Sequence, residues 1–423
     1  MSWGGGSGEA GGLGGCGSVV VPKEVPPGFV AYTGYSCSCR FYVPGPSAKP
    51  LDPVEWEACS QPGPLGVACQ RMKTTWSAAT LALRIFPKFW FDREGNKAYL
   101  QFARTRIGDS SNILRNSIVA DVDGPLLASI VEHGLGCTLT ESGVQGSRYL
   151  FGALGSSNTG PITGTEGAIS GKFGEAPDFA ISQTLEDNNH TGWGMTSEWL
   201  VRWKSGLHGR KFGSTAEVSI FDPSEDVEGL PPQNVQGVGS TVLFGVGSGT
   251  SSGVMVWTES KGARALVRYP GDATKAAGNF GTDGVDMVWT FGEGTFASGK
   301  FSSASITTAP FTTDPALAQK SARRLRSDPG PLVPGGFAVG CGYAARELDS
   351  LVPAPGSKDL LVVRLSDGVS WLVKMPSIAT GAGFIDPLGI TCDEVFSTAQ
   401  FPDDAVSIVR IRLDSLGPGT PPD

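Results

Sequence analysis

A strand-like segment rich in aliphatic and aromatic residues recurs seven times in this chain, and no other sequence feature limits its folding so strongly. Each segment ends in small residues and is followed by a polar or glycine-rich connection and a second strand-like run. The segments begin at residues 98, 148, 198, 241, 286, 337 and 394, so their spacing is 43 to 57 residues. Residues 282–294, TDGVDMVWTFGEG, show the pattern most clearly.

A repeat of about 40–50 residues that contains several strands and no amphipathic helix is typical of a β-propeller blade. Small residues let the sheets approach one another near the axis, and glycine supplies the positive φ angles of tight hairpins. We therefore predict an all-β fold, a single closed β-propeller of about seven blades over residues 28–416. Tandem β-sandwiches are the alternative, because their strands also recur at short spacing.

The seven segments are interpreted as the strands nearest the axis, with the connections before them arranged around one opening of the channel. Propellers often close by pairing strands from the two chain ends. We expect a terminal strand at residues 406–413 to pair with a strand from residues 29–43 or 80–86. A short helix is predicted within residues 315–324.

The two ends of the chain differ in composition from the repeats. Residues 1–27 are dominated by glycine and have little apolar content, which predicts a flexible N-terminal tail. Residues 417–423 are predicted to form a disordered C-terminal tail.

Charge and hydropathy exclude some classes of partner. Charged residues make up 17% of the chain and the net charge is −8, so the basic surface of a nucleic-acid-binding protein is absent. No apolar run approaches the roughly 18 residues that a transmembrane helix needs. We expect a monomer without a transmembrane helix.

The eight cysteines favour disulfide bonds over metal binding, because neither they nor the three histidines show zinc-site spacing. Cys59 and Cys69 flank a Pro-Gly-Pro turn and are the predicted pair, with buried free thiols as the alternative. Disulfides indicate an oxidising compartment, extracellular or in the cell envelope. Cys16, at the end of Leu-Gly-Gly-Cys, resembles a bacterial lipidation site; a chance cysteine in a glycine-rich tail is the alternative.

The segment at residues 186–194 has the composition of a ligand site, with acceptors, an imidazole and an aromatic ring. Its candidate ligand-binding residues are Asp187, Asn188, His190 and Trp193, and Asp283 in a later turn is a further candidate. An aromatic plate beside short polar groups suits a carbohydrate or a peptide. The alternative is a solvated turn with Trp193 packed against a neighbouring blade.

The chain has no H-E-x-x-H metalloprotease motif and no P-loop. We predict no catalytic residue, no metal site and no cofactor. Asp222, Glu225 and Asp226 form an acidic loop without EF-hand spacing. The two interpretations of this loop are a structural Ca²⁺ site and a solvated turn. Four arginines are the candidates for an arginine cluster like that of sialidases: Arg148, Arg202, Arg264 and Arg268.

The repeat, together with a glycine-rich tail behind residues 13–16, resembles the uncharacterised repeat-type β-propeller proteins of bacterial cell envelopes. This resemblance implies export and a binding role, and it transfers no catalytic residue. The leading hypothesis is an exported, non-enzymatic propeller that binds a glycan, a peptide or a protein partner through loops on one face. A carbohydrate-active propeller hydrolase or lyase and a structural envelope component are the alternatives.

Overall fold

A computed structural model of the protein describes residues 29–32, 39–44, 54–59, 67–73, 76–77, 88–93, 95–106, 114–124, 126–133, 137–155, 165–173, 175, 178–184, 192–203, 206–226, 228–248, 251–297, 300–327, 337–349, 358–374, 387–401 and 405–422. These residues are mostly in strands. The α-helix among them, α1 (Pro315–Ser321), lies in the predicted segment, has Asp314 as its N-cap and is too short to cross a membrane.

The strands, in chain order, are β1 (Phe29–Tyr32), β2 (Cys39–Pro44), β3 (Trp56–Ala58), β4 (Cys69–Met72), β5 (Trp76–Ser77), β6 (Lys88–Asp92), β7 (Lys97–Arg106), β8 (Leu114–Asp121), β9 (Leu126–His133), β10 (Cys137–Gln145), β11 (Arg148–Gly155), β12 (Thr165–Lys172), β13 (Phe179–Thr184), β14 (Gly192–Met195), β15 (Trp199–Trp203), β16 (Leu207–Lys211), β17 (Glu217–Phe221), β18 (Pro232–Val238), β19 (Thr241–Ser248), β20 (Ser251–Thr258), β21 (Gly262–Val267), β22 (Lys275–Thr282), β23 (Asp286–Ala297), β24 (Lys300–Pro310), β25 (Arg323–Ser327), β26 (Phe337–Gly340), β27 (Tyr343–Asp349), β28 (Lys358–Arg364), β29 (Ser370–Lys374), β30 (Pro387–Ile390), β31 (Glu394–Gln400) and β32 (Ala405–Arg412).

Seven antiparallel sheets follow one another along the chain and form a closed ring, which confirms the predicted seven-bladed β-propeller. Blade one contains β6–β9, and blades two to six contain β10–β13, β14–β17, β18–β21, β22–β25 and β26–β29. Blade seven contains β30–β32 and strands from the N-terminal region. Contacts between β30 and β6 join blade seven to blade one, so the ring has no gap.

Ring closure uses a different N-terminal strand from the one predicted. β4 pairs antiparallel with β32 and serves as the fourth strand of blade seven, and β3 pairs with β4 outside it. β1 and β2 instead extend blade one beyond β9. The prediction was wrong because only one side chain of β4, Met72, is buried, so this strand has little apolar signal.

The predicted disulfide between Cys59 and Cys69 is present, with Cα atoms 5.5 Å apart. It joins β4 to the residue that follows β3, and therefore fixes the hairpin that closes the ring. A disulfide across such a short loop stabilises a fold by roughly 2–3 kcal/mol in the chain-entropy model.

The recurring apolar segments are mostly second strands and not the strands nearest the axis. Six of the seven lie in β7, β11, β15, β19, β23 and β31, and only β26 is innermost. Second strands have sheet neighbours on both sides and pack on both faces, as the fully buried Tyr149, Leu150 and Phe151 of β11 show. The innermost strands are richer in glycine, so their sequences look like loops.

Glycine is required where innermost strands meet. A Cβ atom on Gly237 of β18 would lie 2.4 Å from the carbonyl oxygen of Met195 in blade three. A Cβ on Gly340 of β26 would lie 2.2 Å from the carbonyl oxygen of Ile390 in blade seven. Backbone atoms cannot move aside as a side chain can, so the blades reach this separation only without a side chain.

Apolar clusters between blades form the core. Between blades three and four, Trp199 and Trp257 pack edge to face with ring centroids 5.1 Å apart. Trp199 and Trp257 therefore join neighbouring blades by an aromatic contact.

Residues 417–422, for which a disordered tail is predicted, lie against blade six. Thr420 forms an isolated antiparallel bridge with Ser370 at the start of β29. The described residues after β32 include a 3-10 turn, Leu413–Ser415, which redirects the chain from blade seven towards this edge.

Gly340→Ala is expected to destabilise the protein by about 1–3 kcal/mol, because its new methyl group would overlap backbone atoms of the neighbouring blade. Gly143→Ala is the matched control, since its Cβ would meet the flexible side chain of Met195 at 3.1 Å. We expect this control to stay within about 1 kcal/mol of wild type in urea unfolding. An equal loss of unfolding free energy in the two variants would contradict the proposed role of backbone contact between blades.

Candidate functional site

The turns between the first and second strands of the blades lie around the axis on one side of the ring, which we call the turn face. Several of these turns contact each other directly. Ser197 of blade three donates from its backbone N–H and its hydroxyl to the carbonyl oxygen of Gly239 in blade four, at 3.2 and 2.7 Å. Cys341 of blade six and Cys392 of blade seven form a disulfide with Cα atoms 4.9 Å apart.

Asp283 is the most heavily bonded residue of the β22–β23 turn. Its Oδ1 accepts from the backbone N–H groups of Val285 and Asp286 at 2.9 and 2.8 Å. Its Oδ2 accepts from the N–H of Gly342 in blade six at 2.9 Å. The side chain is 4% exposed, so this carboxylate organises its own turn and ties it to the next blade.

Arg93 reaches Asp283 from the β6–β7 turn of blade one, with Nη1 3.5 Å from Oδ2. Blades one and five are not neighbours in the ring, so this ion pair crosses the axial opening. It is a single long contact and not a bidentate pair, and the Arg93 side chain is 47% exposed. Such a pair holds an arginine weakly, because water competes for its remaining N–H groups.

Asp286 stands next to this pair, and its pKa is raised above the usual aspartate value. Burial is the main cause, and the negative charge of Asp283 adds to it. Arg323 and Arg93 act in the opposite direction and lower the pKa. The opening therefore combines charges of both signs in a partly desolvated setting.

Val285 lies at the tip of the same turn and is 55% exposed, more than the other large apolar residues described as exposed. Its backbone N–H is bonded to the Asp283 carboxylate that Arg93 also contacts. The Asp283 carboxylate thus contacts both the guanidinium of Arg93 and the backbone of a residue with an exposed apolar side chain.

The Cys341–Cys392 disulfide was not predicted. Its cysteines are 51 residues apart in the sequence, and no turn signal between them indicates a pair. Cys341 and Gly342 have φ angles of 45° and 77°, a conformation that directs the Gly342 N–H towards Asp283. Arg93 was not among the predicted site residues either.

Of the five predicted ligand residues, the structure describes Trp193 and Asp283, which lie in different blades. Trp193 lies on β14, is 3% exposed and packs in a cluster with Leu150 and Leu200, in agreement with the packing alternative. Asp283 belongs to blade five and carries the structural bonds described above. Asp187, Asn188 and His190 lie outside the described residues, as does Cys16.

The acidic loop between β17 and β18 is held by hydrogen bonds and ion pairs. Asp222 caps the 3-10 turn Pro223–Glu225. Asp226 is bonded to Arg268, which is the largest cause of its lowered pKa, and Glu228 bonds the same guanidinium at 2.9 Å. Across the described ranges, no three His, Cys, Asp or Glu side chains are grouped as metal ligands.

The four candidate arginines do not form a cluster, because each is engaged elsewhere. Arg148 and Arg202 form bidentate pairs with Asp178 and Glu217 of their own blades. Arg264 donates to the carbonyl oxygen of Thr313, and Arg268 forms an ion pair with Asp226 of the acidic loop.

No family model matches the chain, and no curated protein matches it. Solved propeller structures share low identity with it. The β-propeller domain of the Trilobed protease from Pyrococcus furiosus is 10% identical, over 82% of this chain and 95% of that chain, with a TM-score of 0.45. The WD40 domain of SCAP from fission yeast is 7% identical, over 86% of this chain and 98% of that chain, with a TM-score of 0.39.

A prolyl endopeptidase structure is 14% identical over 67% of this chain, with a TM-score of 0.42, and this chain spans only 41% of that one. At these identities and TM-scores the similarities carry no argument about activity or partners.

The charges at the axial opening predict opposite pKa changes in two variants. Asp283→Asn removes a negative neighbour and is expected to lower the pKa of Asp286, whereas Arg93→Gln removes a positive one and is expected to raise it. Carbon-detected NMR titration of the Asp286 carboxyl would measure both. A shift of the Asp286 pKa in the same direction in both variants would contradict this arrangement of charges.

Proposed function

We propose that the protein is an exported, non-enzymatic β-propeller that binds a peptide or protein partner at the axial opening of the turn face. The observation that carries this proposal is the pairing of a half-exposed guanidinium, Arg93, with the exposed Val285 beside one buried carboxylate. Arginine and apolar side chains at the centre of a surface are common sources of binding energy in protein interfaces.

The chemistry of the opening favours a peptide over a glycan. The aromatic plate expected to stack against a sugar, Trp193, is buried between blades two and three. Arg93 instead offers planar N–H donors suited to a carboxylate, which a peptide carries on acidic side chains or at its C-terminus. Val285 adds an apolar contact for a neighbouring side chain.

Export is supported by the disulfides Cys59–Cys69 and Cys341–Cys392 of the described residues, because such bonds persist in oxidising compartments. The proposed location is extracellular or in the cell envelope, with Cys16 as the proposed site of a lipid anchor. The ring itself supplies a rigid frame, so a partner would meet the turn face with little loss of conformational entropy.

Selection from a random-peptide phage library on the immobilised protein tests the proposal. We expect selected peptides to carry a carboxylate next to an apolar residue. Arg93→Gln and Val285→Ser are each expected to weaken binding about tenfold, a loss of roughly 1.4 kcal/mol. Lys261→Gln is the control, because it removes the same charge from an exposed turn of blade four.

If Arg93→Gln and Lys261→Gln lost equal peptide affinity, the loss would be a general effect of charge. That result would contradict peptide binding at the axial opening. A library that yields no peptide, together with binding to a glycan array or cleavage of a polysaccharide panel, would instead favour the carbohydrate-active alternative.

A further inference from the structure

The C-terminal segment, residues 417–422, lies beside the outer edge of blade six and joins it through one isolated antiparallel bridge, between Thr420 and Ser370. Thr420 and Ser370 exchange two backbone hydrogen bonds, 2.8 and 2.9 Å long, although the segment belongs to the chain leaving blade seven. The indole Nε1–H of Trp371 donates to the carbonyl oxygen of Gly417 at 3.0 Å. The edge of β29 therefore already receives an extended peptide through its backbone and one aromatic donor.

The receiving surface is fixed by its neighbours within blade six. Tyr343 packs against Trp371 with ring centroids 6.3 Å apart. The guanidinium of Arg364 lies 5.5 Å from the Trp371 ring centroid and is held by Asp367 through bonds of 2.6 to 3.1 Å. Because these contacts already fix the indole, its N–H can donate to a peptide without a further loss of side-chain conformational entropy.

The segment meets strict steric limits at two positions. A Cβ atom on Gly419 would lie 2.3 Å from Cγ1 of Val369 and 2.8 Å from Cε2 of Trp371, so only glycine fits there. Pro422 lies over Gly368, where a Cβ would be 3.1 Å from the proline Cβ. Thr420 contributes its backbone, and its side chain is exposed.

The segment is held by few hydrogen bonds and is mostly exposed. Between residues 417 and 422 only Gly419 is partly buried, and the others are exposed. By contrast, β4, the N-terminal strand that joins blade seven, buries Met72 and carries a disulfide. Two backbone bonds and one indole bond at a surface give a weak, reversible association.

We propose that the outer edge of blade six is a docking site for a glycine- and proline-rich extended peptide of a partner protein, and that residues 417–422 occupy it in cis. Recognition uses strand addition at Ser370, the Trp371 N–H on a carbonyl, and a glycine two residues later. Proline keeps the peptide extended before binding, which lowers the entropy lost on docking. This site lies on the rim of the ring and is separate from the axial opening.

The test uses the full chain and a fluorescein-labelled peptide, LGPGTPPD, with the sequence of residues 416–423. Gly419→Ala in the chain should displace its own segment, so this variant is expected to bind the peptide at least tenfold more tightly than wild type. Thr420→Ala is the matched control and should bind like wild type, because Thr420 uses only backbone atoms. A peptide carrying the Gly419→Ala change should bind none of the chains. Fluorescence anisotropy measures all of these affinities.

Adding Trp371→Phe to the Gly419→Ala chain should weaken peptide binding about fivefold. This factor corresponds to the loss of one hydrogen bond that contributes about 1 kcal/mol. Thermal unfolding checks that each variant is folded. A folded Gly419→Ala chain that binds no better than wild type would overturn the proposal, as would Thr420→Ala behaving like Gly419→Ala. A wild-type dimer that Gly419→Ala abolishes would assign the site to a second copy of this chain and overturn the partner proposal.

Discussion

The close approach of seven innermost strands around one axis sets the limits for the rest of this structure. At Gly237 and Gly340 the next blade is so near that a side chain would overlap backbone atoms. The core between blades is built mainly by second and third strands such as β11 and β28. The same proximity lets Arg93 reach Asp283 across the axis.

The ring also depends on how its first and last blades are joined. β4 completes blade seven from the N-terminal side, and the Cys59–Cys69 disulfide holds its hairpin. On the turn face, the Cys341–Cys392 disulfide and the Gly342 bond to Asp283 tie blades five, six and seven together. The proposed peptide site at the axis is thus framed by covalent and backbone contacts, whereas the rim site on blade six is occupied through weak ones.

Local signals made the fold predictable and left the candidate site hidden. The period of the apolar segments indicated seven blades, and the short loop between Cys59 and Cys69 indicated their bond. The contact of Arg93 with Asp283 joins residues 190 positions apart, and no periodicity in one sequence encodes such a pair. Trp193 looked like a binding residue because it follows a polar run, although its own strand is innermost and buried. Closure by β4 was missed because a strand of four residues has almost no pattern.

Hydrogen exchange of native protein, followed by mass spectrometry, tests most directly whether the N-terminal strand closes the ring. The register pairs Arg71 with Val409 and Cys69 with Ile411, so β4 should be protected together with β32. We expect peptides covering β4, β32 and the innermost strand β26 to exchange through one slow cooperative opening. Rapid local exchange of β4, with β26 still protected, would show that the ring holds without this strand and would contradict the account.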